Sequence, residues 1–362
     1  MPNTATILPH VLVTTQWLEE HLTAPNLAVV DIRGYVNTID MGYGRQAADY
    51  VGARDEYIAG HVPGAVFVDW TSDITDPDNP VKAQIAPPER FKAAMEARGI
   101  GDDTDVVVVD HTGGHFATRM WWALRYYGHS RAAVLNGGMA KWTAEGRPVT
   151  AEIASVSEVT FTPESCPDLR VDADAVLSAS SSTSTLIIDA RDPGQYTGAT
   201  VRGPRGGHIP GAVNIPAKTL FKPDGTWKPR EELETVLKEG GVTDDTPVIA
   251  YCNGGVTATA VLFVGHYRRS RRRPFFSQRM ERVHSRWHPP QTNDGRLAHR
   301  SRSSSRRPSA MRYHANTANV CLDTYPRKAR TTITADTKAI TNPTANAGAS
   351  AAVSASRLLR RS

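Results

Sequence analysis

The chain repeats its own pattern in order, and this repetition constrains its fold more than any other feature. A short apolar strand that ends in an acid and a base occurs at residues 29–33 and again, 158 residues later, at residues 187–191. The loop Gly-His-x-Pro-Gly-Ala occurs at residues 60–65 and again, 147 residues later, at residues 207–212. Such repetition arises when one supersecondary unit is built more than once. We therefore expect two domains of the same fold.

The strands of both copies are continuous apolar runs. Residues 106–109 are four consecutive valines, and their counterpart at residues 248–251 reads Val-Ile-Ala-Tyr. Strands of this kind are buried on both faces, and segments with helical periodicity separate them. The pattern predicts an α/β protein with two domains, each a parallel sheet with helices on both faces.

The same comparison predicts the domain boundaries. We expect the first domain at residues 11–150 and the second at residues 171–267. Residues 151–170 are polar, contain two prolines and are interpreted as a linker. A tail rich in Arg, Ser and Pro follows at residues 268–362.

The composition of the chain changes at the end of the second domain. Residues 1–264 hold 21 Lys and Arg against 33 Asp and Glu, whereas residues 265–362 hold 21 against 4. The tail shows no periodicity and has too few apolar residues to offset its ordering entropy, so we expect it to be disordered. It also begins where the repeat predicts a strand, a glycine turn and a helix like those of residues 131–142.

Two explanations of the tail compete. The first is a shift of reading frame near residue 265, and the second is a basic arm that binds nucleic acid electrostatically. We favour the shift because the change falls inside a domain, and nucleic acid is then not expected as a partner. The second domain would be incomplete, with an exposed sheet edge, an uncovered apolar face and weak activity.

The cysteine count and the hydropathy pattern limit the cellular context. Three cysteines, Cys166, Cys252 and Cys321, are too few for a disulfide framework. The first residues do not form a secretory signal, and no apolar run reaches about 18 residues. We expect a cytoplasmic protein without a membrane segment.

Cys252 is the candidate nucleophile. It ends a predicted strand, and the following glycine-rich segment leads into a predicted helix through Asn253, Gly254, Gly255, Val256, Thr257 and Ala258. Glycines let successive backbone N–H groups converge on one point, and the helix N-terminus adds further donors. Such a loop stabilises a thiolate, which is a nucleophile. Cys166 and Cys321 lack this context.

The loop predicts which group the thiolate carries. A tyrosine phosphatase loop places an Arg six residues after its Cys, because phosphate needs a bidentate guanidinium. Here that position is Ala258, so phosphate cleavage is not expected. One additional sulfur on Cys252, held by the loop amides and the Thr257 hydroxyl, fits better.

The chain resembles the tandem-domain rhodanese family, the thiosulfate and 3-mercaptopyruvate sulfurtransferases. The resemblance rests on the segments at residues 189–191, 207–212 and 251–258. It implies that only the second domain carries the nucleophile. The ungapped repeat places Asp110 opposite Cys252, and a slip of one residue would place His111 there. Since neither is a thiol, the first domain is expected to be non-catalytic.

The resemblance implies a mechanism. The Cys252 thiolate would take a sulfur atom from thiosulfate, release sulfite and pass the sulfur to cyanide or a thiol. The partners would be a small sulfur donor and a thiophilic acceptor, and neither a metal nor an organic cofactor is required. 3-Mercaptopyruvate is the alternative donor. An inactive sulfide-carrying protein with a nucleic-acid-binding tail is the alternative of another class.

Two arginines are candidates for binding an anionic substrate. Arg205 precedes the second Gly-His loop and is expected to contact the substrate oxyanion. Arg191 follows a strand acid, and an ion pair with that acid is favoured over substrate binding. Similar mercaptopyruvate enzymes have an Arg near Gln195 and a Ser or Thr near Gly254, and thiosulfate enzymes often have basic residues directly after the cysteine, where this chain has Asn253. The loop matches neither subtype, and we favour thiosulfate.

Two other features are interpreted as structural. His61 and His208 occupy the same position in the two Gly-His loops, so a turn that packs at the sheet is expected rather than a catalytic role. Trp121 and Trp122 are expected to pack in the core or between the domains.

Overall fold

The structure, a computed structural model, describes residues 5–111, 113–270 and 320–323. The strands, numbered along the chain, are β1 Leu12–Val13, β2 Leu27–Asp31, β3 Gly34–Asp40, β4 Arg45–Gly52, β5 Val66–Phe67, β6 Asp105–Val109, β7 Ala132–Leu135, β8 Leu186–Asp189, β9 Val201–Arg202, β10 Val213–Asn214, β11 Val248–Tyr251 and β12 Val320–Asp323. The helices are α1 Thr15–His21, α2 Arg54–Ala59, α3 Pro88–Glu96, α4 His115–Tyr126, α5 Gly138–Ala144, α6 Ala173–Ser180, α7 Pro193–Thr197, α8 Arg230–Glu239 and α9 Val256–Ser270.

The first domain is built on a parallel sheet with the strand order β1–β7–β6–β2–β5. All four valines of residues 106–109 are fully buried, because helices cover both faces. α5 packs on one face, where Met139 and Trp142 join the apolar cluster. α4 packs on the other face. The prediction of continuous apolar strands in a doubly covered parallel sheet is confirmed here.

The second domain repeats the centre of this sheet. β10, β8 and β11 lie side by side in parallel, as β5, β2 and β6 do in the first domain. β12 pairs with the outer edge of β11 in the antiparallel sense, where the first domain has the parallel strand β7. The predicted α/β class is confirmed for both domains, with β12 as the antiparallel addition.

A third, smaller sheet connects the two domains. β3 and β4 form an antiparallel hairpin that leaves the first domain directly after β2. β4 then pairs in parallel with β9 of the second domain, with Arg45 opposite Val201 and Gln46 opposite Arg202. The hairpin is thereby fixed to the second domain by main-chain hydrogen bonds.

The two central helices pack against each other. Trp121 of α4 meets Phe263 of α9 edge to face, with ring centroids 5.1 Å apart, and the Thr118 and Thr259 hydroxyl oxygens lie 3.1 Å apart. Trp121 and Trp122 are 3% and 4% exposed. The predicted role of these tryptophans in core and inter-domain packing is confirmed.

The two Gly-His loops have the same structure in both domains. The His61 ring stacks on Tyr57 at 4.0 Å and donates from Nδ1 to the Tyr57 carbonyl oxygen at 2.6 Å. The His208 ring stacks on Tyr196 at 3.8 Å and donates to the Tyr196 carbonyl oxygen at 2.8 Å. These contacts fix the turn against the preceding helix, in agreement with the structural role predicted for both histidines.

Three expectations about the end of the chain need correction or fall outside the structure. Residues 268–270 extend α9 and residues 320–323 form β12, so the tail is not without structure throughout. The rest of the tail lies outside the described residues. β12 occupies the edge of β11 that was expected to be exposed, since unpaired main-chain N–H and C=O groups favour an added strand.

The apolar face that was expected to be uncovered is buried. Ile187 and Ile249 are 2% and 1% exposed and pack with Val176 of α6. The opposite face of the same strands packs against α9. Within the described residues, no helix is both long enough and apolar enough to cross a bilayer.

Candidate active site

The loop after β11 places a backbone N–H group against the sulfur of Cys252. Cys252 follows β11 directly and is 3% exposed. The Gly255 N–H donates to Cys252 Sγ at 3.0 Å, and the φ of Gly255 is 73°, in the left-handed region that favours glycine. α9 begins at the next residue, so the positive end of its dipole lies beside the sulfur. This arrangement stabilises negative charge on the sulfur.

The first domain has a carboxylate at the equivalent position. In both sheets the acid that ends the inner strand pairs with the last residue of the next strand, and the following residue is Asp110 in one domain and Cys252 in the other. The ungapped alignment is therefore right, and His111 is not the counterpart. Asp110 Oδ2 accepts from the N–H groups of Phe116 and Ala117 at 2.8 and 2.9 Å. The first domain thus uses the N-terminal amides of α4 to bind its own Asp110 side chain.

Two cavities meet at Cys252, with volumes of about 340 and 360 Å³. Both are lined by Tyr50, Arg191, Arg202, Cys252 and Asn253. The first cavity is also lined by residues of the first domain, namely Gly34, Tyr35, Val36, His115 and Phe116. The site is therefore built by both domains, although only the second supplies the thiol.

Cationic side chains surround the second cavity. Its lining includes Lys82, Arg191, Arg202 and Arg205 and contains no Asp or Glu. Arg205, a predicted substrate ligand, is an exposed residue of this lining. An excess of positive charge around a cavity raises the local concentration of small anions.

Arg191 is held by an ion pair. Its Nη2 lies 2.5 Å from Asp189 Oδ2 and donates to the Gly207 carbonyl oxygen at 2.8 Å. Arg33 makes the same two contacts with the acid and the loop of the first domain. Because the arrangement recurs in the domain that lacks the thiol, it supports the structural interpretation that the sequence favours. Arg191 also borders both cavities.

The pattern of a Rhodanese-like domain matches this chain twice, at residues 14–145 and at residues 172–272. Each match covers most of one of the two larger sheets, leaving out β1 of the first domain and β12 of the second. The chain belongs to the rhodanese family. The one thiol at the end of a central strand and the carboxylate at the equivalent position are thus features of a rhodanese-family protein with two domains.

Relatives of this rhodanese-family protein have three different names. The sulfur carrier protein TtuD of Thermus thermophilus is 32% identical over 271 residues, which are 72% of this chain and 88% of the relative. The 3-mercaptopyruvate sulfurtransferase of Escherichia coli K12 is 32% identical over 253 residues, 69% of this chain and 86% of the relative. A putative thiosulfate sulfurtransferase of Mycolicibacterium smegmatis is 30% identical over 264 residues, 70% of this chain and 87% of the relative.

The fold is also similar to that of a sulfurtransferase of known structure. The crystal structure of SseA from Escherichia coli, described as a 3-mercaptopyruvate sulfotransferase, superposes with a TM-score of 0.63 at 31% identity. The match covers 72% of this chain and 94% of SseA. The protein is therefore a sulfurtransferase of the rhodanese type.

Arg202 and Tyr50 are among the lining residues of the rhodanese site that sequence reasoning missed. Arg202 borders both cavities; its Nη2 donates to Thr38 Oγ1 at 2.5 Å, and its buried Nε has no partner among the described residues. Tyr50 reaches the same cavities from β4. The sequence did contain a signal of this hairpin. The repeat offset falls from 158 to 147, so the first domain has eleven additional residues between the two motifs. The β3–β4 hairpin lies in that segment.

Asn253 is fixed by a chain of side-chain amides. Its Nδ2 donates to Gln195 Oε1 at 2.7 Å, and Gln195 Nε2 donates to Gln46 Oε1 of the hairpin at 3.5 Å. The first of these bonds orients the residue that follows the nucleophile. The second connects that residue to the first domain.

The other predicted loop residues divide by environment. Gly254, Val256 and Thr257 line the first cavity, and Thr257 is in reach of a group bound there. Gly255 contributes its N–H to the sulfur. Ala258 is fully buried in the core and does not line either cavity, so its side chain supports α9 rather than the bound group.

Proposed function

We propose that this protein transfers the sulfane sulfur of thiosulfate to a thiophilic acceptor, cyanide or a thiol, through a persulfide on Cys252. The observation that carries the proposal is the Gly255 N–H donating to Cys252 Sγ at 3.0 Å, at the meeting point of two cavities. An amide donor and a helix N-terminus beside a cysteine sulfur are the surroundings in which cysteines act as nucleophiles.

The reaction has two steps. The Cys252 thiolate attacks the outer sulfur of thiosulfate, the bond between the two sulfur atoms of thiosulfate breaks, and sulfite leaves with the electron pair. A persulfide anion remains on Cys252. The acceptor then attacks the outer sulfur of this persulfide, and the Cys252 thiolate leaves with the electron pair of the S–S bond. Cyanide becomes thiocyanate and a thiolate becomes a persulfide, so neither step needs an external oxidant or reductant.

The charges around the site support thiosulfate as donor. Thiosulfate is a dianion, and the second cavity presents four cationic side chains and no carboxylate. Arg202 is the best placed of these, because its Nε is buried without a partner among the described residues while the charge of Arg191 is paired with Asp189. Arg205 adds an exposed positive charge to the same lining.

3-Mercaptopyruvate is the second candidate donor. The relative from Escherichia coli has this activity in its name, and its identity to this chain is similar to that of the thiosulfate relative. The donor is decided by measuring kcat/KM with both compounds under one set of conditions. A higher kcat/KM with 3-mercaptopyruvate would overturn the choice of thiosulfate and leave the persulfide mechanism intact.

A sulfur-carrying role without turnover is the candidate from another class, and the name of the Thermus thermophilus relative favours testing it. The protein is incubated with thiosulfate and its intact mass is measured before and after addition of cyanide. We expect a gain of one sulfur atom, its loss with cyanide, and many turnovers of thiocyanate formation per chain. One turnover per chain would support the carrier instead.

The nucleophile is tested with two cysteine variants. Cys252→Ser should abolish both the mass gain and turnover. Cys166→Ser is the matched control, because Cys166 lies in the linker away from both cavities and should retain wild-type rates. Sulfur loading of Cys252→Ser at the wild-type level would refute the assignment.

A further inference from the structure

The β3–β4 hairpin places one face of β4 against the candidate active site. Gln46, Ala48 and Tyr50 alternate along β4 and therefore share a face. Gln46 accepts from Gln195, and Ala48 and Tyr50 line the second cavity. Pairing of β4 with β9 holds this face in place. The hairpin thus carries side chains of the first domain to the thiol of the second.

The Tyr50 hydroxyl lies beside the loop that holds Cys252. A Cβ atom placed on Gly254 would lie 3.3 Å from the Tyr50 hydroxyl oxygen, which is its nearest neighbour. The hydroxyl therefore occupies the space that a side chain at position 254 would enter. It makes no hydrogen bond to any other described residue. It is accordingly available to a group bound in the cavities that it lines.

The position of the Tyr50 ring is set by its surroundings. The ring packs on Trp70 with centroids 5.3 Å apart, and Trp70 Nε1 donates to the carbonyl oxygen of Val51, the neighbour of Tyr50 on β4. Burial, together with the negative charge of the nearby Cys252 sulfur, raises the pKa of Tyr50 above its ordinary value of 10. The hydroxyl therefore remains protonated and can donate a hydrogen bond throughout the neutral range.

We propose that the Tyr50 hydroxyl donates a hydrogen bond to the outer sulfur of the persulfide on Cys252. In the free protein, Cys252 Sγ accepts from Gly255 N–H, and no bond to Tyr50 is formed. The outer sulfur of a persulfide lies about 2 Å further out, along the S–S bond. Tyr50 then acts on the sulfur that is transferred. The inference rests on the persulfide mechanism proposed above and adds a residue from the first domain to it.

The first test removes the hydroxyl alone. Tyr50→Phe should lower kcat/KM for sulfur transfer by roughly 10- to 150-fold, the range for a hydrogen bond to a charged group. The alkylation rate of the free Cys252 thiolate should stay within twofold of wild type, because the Tyr50 hydroxyl acts only on the outer sulfur. Tyr43→Phe is the matched control, because Tyr43 is fully exposed at the turn of the same hairpin. It should have wild-type rates.

The second test moves the hydroxyl to the loop. Gly254 does not have a left-handed φ, so its backbone accepts a side chain. Gly254→Ser alone should lower kcat/KM, since its Cβ approaches the Tyr50 hydroxyl oxygen at 3.3 Å. In the double variant Tyr50→Phe/Gly254→Ser the nearest neighbour becomes Ala83 Cβ at 3.4 Å, an ordinary contact. We expect the double variant to recover at least threefold over Tyr50→Phe.

The outcomes separate this inference from the function on which it rests. If wild-type protein gains no sulfur from either donor, the proposed function fails. If wild type gains sulfur and Tyr50→Phe transfers it at the wild-type rate, only the role of Tyr50 is overturned. The role of Tyr50 is also overturned if Tyr50→Phe slows alkylation of Cys252 as much as sulfur transfer, or if the double variant shows no recovery.

Discussion

Replacing Gly255 by alanine tests the central feature of the site, the N–H that donates to the Cys252 sulfur at 3.0 Å. The φ of Gly255 is 73°, and an alanine resists this conformation because its Cβ collides with the following carbonyl oxygen. The loop can relieve the strain by rotating the peptide. The N–H would then turn away from the sulfur.

The expected effect of Gly255→Ala has two parts, one on folding and one on kcat/KM. The left-handed conformation costs an alanine roughly 1–2 kcal/mol of folding free energy relative to glycine. Loss of a hydrogen bond to a charged group costs a further ~1.5–3 kcal/mol, which applies to the thiolate and the persulfide. The second part lowers kcat/KM by roughly 10- to 150-fold, whereas the first part appears only in stability.

A matched variant at a second glycine, Gly211, distinguishes the effect on folding from the effect on kcat/KM. Gly211 has a φ of 79° in the same domain, does not line either cavity, and a Cβ there would lie 3.8 Å from the Ser180 carbonyl oxygen. Gly211→Ala should therefore show the same loss of unfolding free energy in urea with unchanged kcat/KM for thiocyanate formation. The reasoning is refuted if Gly255→Ala loses no more kcat/KM than Gly211→Ala.

Two further predictions concern charge. Arg202→Gln should lower kcat/KM with thiosulfate about tenfold, more than Arg205→Gln, because the Arg202 Nε is buried and the exposed Arg205 is screened by salt. Burial lowers the pKa of His129 from 6.5 to about 4. Between these two values the unfolded chain binds a proton at His129 that the folded chain does not. The protein therefore keeps its full free energy of unfolding above pH 6.5 and loses part of it as the pH falls towards 4. The loss between pH 7 and pH 5 is about 2 kcal/mol.

Each of these predictions has its own control. For the arginines, kcat/KM is measured at low and high salt; an equal, salt-independent effect of both variants would contradict the argument. For His129, urea unfolding is followed at pH 7 and pH 5 in wild type and in His129→Gln. The variant should lose about 2 kcal/mol less on acidification, and the same loss in both proteins would show that other groups are responsible.

The repeated motifs were sufficient to predict the centre of each domain. Asp189 and Arg191 form their ion pair because they are two residues apart at a strand end, which is a local relation. The loop after Cys252 is equally local, since a strand, two glycines and a helix start within a few residues determine where its N–H groups point. Local relations of this kind can be read from the order of residues.

The residues that were missed depend on contacts between distant segments. Tyr50 and Arg202 lie 152 positions apart in the sequence and meet only because β4 pairs with β9 across the two domains. The change in the repeat offset indicated an insertion in the first domain, but it did not indicate which part of the protein the inserted residues pack against. β12 is a similar case, because its position depends on an edge of β11 that only the folded sheet presents.

The sequence by itself determined the doubled α/β fold, the one cysteine that follows a central strand and the conformation of the loop after it, because continuous apolar strands and glycine spacing act over short distances. It narrowed the counterpart of Cys252 in the first domain to Asp110 or His111, and the strand register of the folded sheets selected Asp110. Only the tertiary structure decided that both domains line the site, and that Tyr50 and Arg202 border it. The physical reason is that β9 finds its main-chain partners on the edge of β4 that β3 leaves open, and these two strands are far apart in the chain.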